Sequence, residues 1–382
     1  MAGYVQKVIR PGGIWDGSWR ARFRGPDGKM RSKSFAKKRD ADAWLVEQQS
    51  SLAKGTFVDP RQRRYTFGDL LDSGLATSMD LRPSAAEHVD DIIRSHLRPT
   101  WGDIPLDRIT GIAIQSWIAG LLANGRVDGK GGLSPGRIKL IHVQMNKFLS
   151  IAVDNNLLGT NPATKVKLPR IIRKEQRFLD HDEIARVAAS VDPRYRALIL
   201  VAAYGGLRFG ELAGLRRIDV SAQASVVSVR WTVVAVRGVL HQGPPKTAAG
   251  VRDVPLPEQA AAALAEHMDD STSKHVFTSP GGQLLRESTW RPRFWLPALT
   301  KAGVAHLRPH DLRHTAVSMW IASGASPKEV AALAGHASAS FTLDRYGHLF
   351  PGQLHAVAER VGAAIAAAEA AERRRTIHVV KG

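Results

Sequence analysis

Apolar and polar positions change period several times along this 382-residue chain, and the changes divide it into segments. Ser18-Trp-Arg-Ala-Arg-Phe23 alternates, Gly25-Pro-Asp-Gly28 is a turn signal, and Lys29 to Phe35 alternates again, which predicts a β-hairpin. Helical spacing takes over from about Lys38 to Lys54, with Ala41, Trp44, Leu45 and Leu52 on one face. Residues 66–158 read as four helices. One begins at Thr66-Phe-Gly-Asp-Leu-Leu, one is capped by Ser84 and runs through Leu97, one is capped by Thr110 and reaches about Leu122, and one starts at Ser134-Pro-Gly-Arg and runs through Asn155. The Gly-rich stretch from Gly125 to Gly136 is the loop between the last two. From Phe178 the pattern is mixed: Asp180 to Ser190, Arg194 to Tyr204 and the stretch carrying Arg208 are helical, while Ser225 to Trp231, Val233 to Leu240 and Val251 to Pro255 read as short strands. Helices return after Pro257 and end in the alanine-rich Gln353 to Arg375, whose apolar side must pack on something. The predicted fold class is multi-domain, mainly α with small β-sheets. A small sheet plus helix occupies 1–65, a helical module 66–158, a mixed α/β but mostly α domain 178–350, and a tail helix 351–382.

The remaining segment, 159–177, carries two prolines, six basic residues and one acid within Thr160 to Arg177. A stretch this cationic reads as an extended linker, able to lie along a phosphate backbone through Lys167, Arg173 and Lys174. An ordinary exposed tether would have the same composition.

Charge sharpens this picture. The chain has 54 Lys and Arg against 35 Asp and Glu, a formal charge of +19 and a pI near 10.5, which points to a polyanion, nucleic acid first. The surplus is concentrated at the front, where residues 1–65 hold 15 basic and 6 acidic side chains. Arg20, Arg22, Arg24, Lys29, Arg31 and Lys33 fall on the predicted hairpin, which suits a β-sheet DNA reader or a merely solvated face. The chain has no cysteine, so disulfides and thiolate metal sites are excluded. With neither a signal-peptide apolar region nor a membrane-length run, a cytoplasmic location is expected.

Candidate chemistry lies in the second half. Tyr204-Gly-Gly-Leu-Arg208-Phe-Gly-Glu211-Leu, Arg308-Pro-His310-Asp-Leu-Arg313-His314-Thr and Leu333-Ala-Gly-His336 followed by Tyr346 are spaced as if to hold one phosphodiester against one tyrosine. Two guanidiniums can clamp the non-bridging oxygens of a phosphodiester in transfer. A phenol with a pKa near 10 needs a proton acceptor and a positive field before it can attack. His310 and His336 are the available imidazoles, whereas His314 and His348 read as packed or surface histidines. Taken singly, Arg208 could simply pair with Glu211, and Tyr346 could be core.

These three motifs, in this order, resemble the tyrosine recombinase family, and within it the phage-type integrases. The resemblance covers roughly Thr66 to His348. It implies that Arg208 and Arg313 hold the scissile phosphate, that Tyr346 forms a 3′-phosphotyrosyl link, that His310 takes the tyrosine's proton and that His336 donates to the phosphate. Lys246, in Gly243-Pro-Pro-Lys246-Thr247, looks like the family's β-hairpin lysine, the general acid for the leaving oxygen, and Glu211 would support the site. The exchange of one phosphate ester for another is nearly balanced, so no metal or cofactor is implied. Residues 1–65 resemble an arm-type DNA-binding domain, 66–158 a core-binding clamp and 178–350 the catalytic domain. The implied activity is integration and, with an accessory factor, excision of phage or other mobile DNA. Implied partners are double-stranded attachment sites of core and arm type, a homotetramer on DNA with the tail docking in trans or covering its own domain, a host DNA-bending factor and an excisionase. A relaxing enzyme with the same chemistry, or a DNA-binding regulator on a decayed recombinase scaffold, would share parts of this pattern.

Overall fold

In the computed structural model the described residues are 3–25, 28–54, 57, 65–76, 82–172, 176–269, 273–350, 358–359 and 361–370. The chain divides into two compact units, Met1–Arg173 and Lys174–Gly382.

The first unit opens with an antiparallel sheet of β1 (Tyr4–Ile9), β2 (Trp15–Arg24) and β3 (Met30–Phe35), in that order. The hairpin expectation is met by β2 and β3; β1 is a third strand that the sequence reading missed. Alternation along β2 points Trp19, Ala21 and Phe23 at the helix α1 (Lys38–Ala53), where Ala21, Phe23, Ala41 and Leu45 form a buried cluster. Arg20, Arg22 and Arg24 therefore share the opposite face. Register places Arg20 opposite Ser34 and Arg22 opposite Ser32, but puts Arg31 opposite Phe23 and Lys33 opposite Ala21. Arg31 and Lys33 thus border the helix face, with Arg31 over the Phe57 ring and Lys33 over the Phe35 ring.

A helical module follows: α2 (Phe67–Ala76), α3 (Pro83–Ile92), α4 (Arg98–Trp101), α5 (Gly111–Asn124) and α6 (Pro135–Asp154). A π turn over Ile93–Leu97 joins α3 to α4, next to Pro99, which has no N–H to give to the preceding turn. Thr110 and Ser134 cap α5 and α6 as expected, each accepting from a backbone N–H three residues on. Ser84 does not cap α3; the N-cap is Arg82 and Pro83 takes the first helical position, where its fixed φ fits. Phe67, Leu70, Ile92, Leu97, Ile114, Ile138, Ile141, Met145 and Phe148 are among the buried residues of this module's core.

The first half of the expected linker belongs to this module. Asn161 donates to Asn146 O at 3.0 Å and to Ser150 Oγ at 2.9 Å, and Ala163 is fully buried. The side-chain amide of Gln115 exchanges two hydrogen bonds with the backbone of Lys167, at 2.8 and 3.0 Å. Counting prolines and cations overlooked Ala163, Val166 and Leu168, which pack on the helical core. Arg173 and Lys174 lie outside the described residues.

The second unit is built around α8 (Arg196–Gly205), buried on nearly every side. Before it stands α7 (His181–Ser190), closed by a capping box between Asp180 and Glu183. After it come α9 (Phe209–Ala213), four strands, and α10 (Glu258–Asp269). The strands are β4 (Val226–Val229), β5 (Thr232–Val236), β6 (Val239–Gly243) and β7 (Arg252–Pro255), paired as β4 with β7 and β5 with β6. The single strand expected over Val233 to Leu240 is thus a hairpin, turning at Arg237 and Gly238 with φ of 46° and 80°. Next are α11 (Glu287–Trp290) and α12 (Leu296–Lys301), joined by a second π turn, then α13 (Pro309–Ala322), α14 (Pro327–Ala334) and α15 (Ala339–Tyr346). Of the expected tail helix, residues 361–370 are helical and exposed throughout; the rest of Gln353 to Arg375, apart from 358 and 359, lies outside the described residues.

Candidate active site

Helix α8 stops because Gly206 adopts φ of 63°, and a Cβ there would meet the Trp320 ring at 2.6 Å. The glycine lets this turn press against α13 and brings Arg208 to the start of α9. The Glu211 carboxylate, one turn along, accepts from the Arg208 backbone N–H at 2.9 Å and from its guanidinium at 2.7 Å. Arg252 completes the group: it enters from the inward face of β7 and donates to both Glu211 oxygens at 3.2 and 3.0 Å, to Leu333 O at 2.6 Å and to Gly250 O at 3.1 Å. Burial alone would raise the Glu211 pKa, but Arg252 first and Arg208 next hold it below the usual carboxylate value.

Arg313 rises from α13 into the same region and is 3 % exposed. It donates to Gly206 O at 2.8 Å and to Ala334 O, so the turn before Arg208 and the end of α14 are both tied to it. Burial beside Arg208 pushes its pKa down to about 9, still cationic at neutral pH. Helix α14 ends at Gly335, φ 62°, where a Cβ would strike Ala249 O at 2.8 Å. That close approach delivers His336, whose Nδ1 shares a hydrogen with Thr342 Oγ1 at 2.8 Å. Burial and the neighbouring Arg313 and Arg208 bring its pKa down to about 4, so the ring is neutral at pH 7.

Tyr346 closes α15 and is 1 % exposed, its ring stacked on that of His336 with centroids 6.3 Å apart. Its hydroxyl meets His314 Nδ1. His314 Nε2 in turn lies 3.4 Å from Arg345 Nη2, and its ring stands edge-on to His310 at 4.9 Å. His310 sits exposed at the rim, its charged form disfavoured by surrounding protein and then by Arg313. Burial raises the Tyr346 pKa, against the pull of Arg345 and Arg313.

The structure therefore brings Arg208, Glu211, His310, Arg313, His336 and Tyr346 into one site. Arg208, Arg252 and Arg313 surround one carboxylate, a balance that calls for an anion. Lys246 is exposed on the loop between β6 and β7, just before the turn at Gly250 that packs by Arg252 and Gly335. Two residues of the site escaped the sequence reading. Arg252 could have been found from parity, since it shares the inward phase of β7 with Val254. His314, which by sequence reads as a packed or surface histidine, is buried against Tyr346, one helical turn from His310 on the same face.

A tyrosine hydroxyl beside paired guanidiniums and neutral imidazoles defines a DNA strand-transfer enzyme of the tyrosine type. The chain belongs to the phage integrase family of tyrosine recombinases, matched over residues 177–352, with the phage integrase N-terminal domain over 16–54 and the N-terminal SAM-like domain over 66–122. As such it is a site-specific DNA recombinase. It is similar to the putative prophage phiRv2 integrase of Mycobacterium tuberculosis, 28% identical over 356 residues, 88% of this chain and 90% of the relative. A XerC-like tyrosine recombinase of Caldanaerobacter subterraneus is 26% identical over 367 residues, 86% of this chain and 91% of the relative. In fold it resembles the Tn1549 transposon integrase solved with circular intermediate DNA, with TM-score 0.67, 18% identity and coverage of 78% of this chain and 99% of that one. A lambda integrase dimer bound to a COC′ core site gives TM-score 0.57 at 18% identity, covering 89% and 95%.

Proposed function

We propose that this recombinase integrates, and with an accessory factor excises, mobile DNA by cutting one strand at a time through a 3′-phosphotyrosyl intermediate on Tyr346. The observation that carries the reading is the grouping of Tyr346 with Arg313, His336 and Arg208. Arg208 and Arg313 clamp the non-bridging oxygens and His336 donates to one of them. Tyr346 Oη forms its bond to phosphorus as the bond to O5′ breaks. The phenolic proton passes to His310, and O5′ takes a proton from Lys246, leaving a 5′-hydroxyl and a DNA 3′ end held on the enzyme. A 5′-hydroxyl from another strand reverses these transfers and releases Tyr346.

DNA reaches this site through the rest of the chain. Arg20, Arg22 and Arg24, on the sheet face away from α1, suit an arm-type duplex, and the helical module with the exposed Lys167 suits the core site. Arg173 and Lys174 extend the same basic run. The working assembly is a tetramer on paired sites, as in the lambda integrase tetramer solved on a Holliday junction, with the exposed helix at 361–370 packing on a neighbouring protomer. A host DNA-bending factor and an excisionase complete it, in the cytoplasm of a bacterial host.

Incubation with a nicked attachment-site duplex tests the reading. Wild type should leave a covalent protein–DNA adduct and Tyr346→Phe none; an adduct with Tyr346→Phe would show the nucleophile to be misassigned.

A further inference from the structure

The hydroxyl of Tyr346 is held by groups that the roles above do not use. His314 Nδ1 is its hydrogen-bond partner, and Arg345 flanks both, with Nη2 3.4 Å from His314 Nε2. His314 is 3 % exposed and fixed between the His310 ring at 4.9 Å and the Tyr346 ring at 5.7 Å. A guanidinium has donors and no acceptor, so the contact with Arg345 requires Nε2 of a neutral imidazole to accept. The ring hydrogen then sits on Nδ1 and points at Oη. Burial, with His310 and Arg345 beside it, lowers the His314 pKa to about 4, which keeps the ring neutral at pH 7.

We propose that His314 is a further catalytic residue, which donates from Nδ1 to Tyr346 Oη and stabilises its developing negative charge, with Arg345 as the positioning residue that sets the tautomer. The inference rests on the phosphotyrosyl reading given above. With Oη accepting from His314, the phenolic hydrogen is directed away from Nδ1 and is free for the separate proton acceptor. The same donor serves both directions: it stabilises the oxygen as it attacks phosphorus, and again as it departs when the second strand displaces it. No atom is transferred to or from His314 in either step.

The test is a substitution series read as single-turnover adduct formation on a nicked duplex of the sequence that traps wild type, with filter retention of that duplex measured alongside. His314→Ala removes the donor and should slow adduct formation about a hundredfold with DNA retention unchanged. His314→Asn can offer an amide N–H where Nδ1 stood and should stay within about tenfold of wild type. His314→Asp, which when ionised can only accept, should fall at least as far as alanine. An aspartate variant as active as the asparagine one, or an alanine variant at or above the wild-type rate, overturns the assignment. Nitrogen-15 NMR of the DNA-free wild type is independent of any variant's folding: the proton is expected on Nδ1 of His314, and a proton on Nε2 overturns the proposal. Failure of the underlying reading looks different, because wild type itself would then give no adduct.

Discussion

Arg252 donates to both carboxylate oxygens of Glu211, and their side chains are only 6 % and 3 % exposed. This pair holds together chain segments that are far apart in sequence: β7 through Arg252, α9 through Glu211, and the end of α14 through Leu333 O.

Removing one partner of a buried pair leaves the other uncompensated. Arg252→Ala is therefore expected to cost about 3 kcal/mol or more, seen as a fall of roughly 8 °C in the thermal midpoint of the catalytic unit. Arg252→Lys, which loses the forked geometry but keeps the charge, should fall between the two. A melt unchanged by Arg252→Ala would remove Arg252 from the framework of the site.

Acid should weaken the same unit. His314 and His336 have folded pKa values of about 4, below the ordinary 6.5, so the unfolded chain binds their protons more tightly. Their contribution is full above about pH 6.5 and is lost as pH falls toward 4, amounting to roughly 3 kcal/mol for each ring. Denaturant midpoints measured from pH 7.5 to 4.5 should decline, and His336→Gln should flatten the decline.

The anchor at Asn161 offers a third measurement. Asn161→Ala deletes its hydrogen bonds to Asn146 and Ser150 on α6 and is expected to cost the helical module about 1 to 3 kcal/mol. Protease susceptibility near residues 165–172 should rise with it, while Thr164→Ala, at an exposed position, should change little.

The two faces of the N-terminal sheet should behave differently. Arg22→Ala, opposite Ser32 on the open face, should weaken arm-site binding and reduce the salt slope by about one. Lys33→Ala, opposite Ala21 on the helix side, should leave that slope near its wild-type value. Binding isotherms across a salt series distinguish them.

Much of this was legible because period and capping act locally. The hairpin over β2 and β3, helix α1, and the Thr110 and Ser134 caps follow from nearest-neighbour rules, and the arginines and Tyr346 stood in recognisable frames. What escaped depends on contacts distant in sequence. β1 gained its place by pairing with β2, and Val233 to Leu240 hid a hairpin because Arg237 takes a positive φ that side chains seldom adopt. Ala163, Val166 and Leu168 needed the helical core to declare them buried. His314 was passed over because a histidine beside an arginine on a buried helix looks the same whether it faces core or a hydroxyl.

The turn at Gly206 has one further consequence. Its carbonyl accepts from Arg313, and two residues later the chain becomes Arg208, so the two candidate phosphate clamps share a single short lever. A change in the position of Arg313 would therefore act on the chain two residues before Arg208. The distance between the two guanidiniums is thereby set by one hydrogen bond and two residues of chain, and not only by the separate packing of α9 and α13.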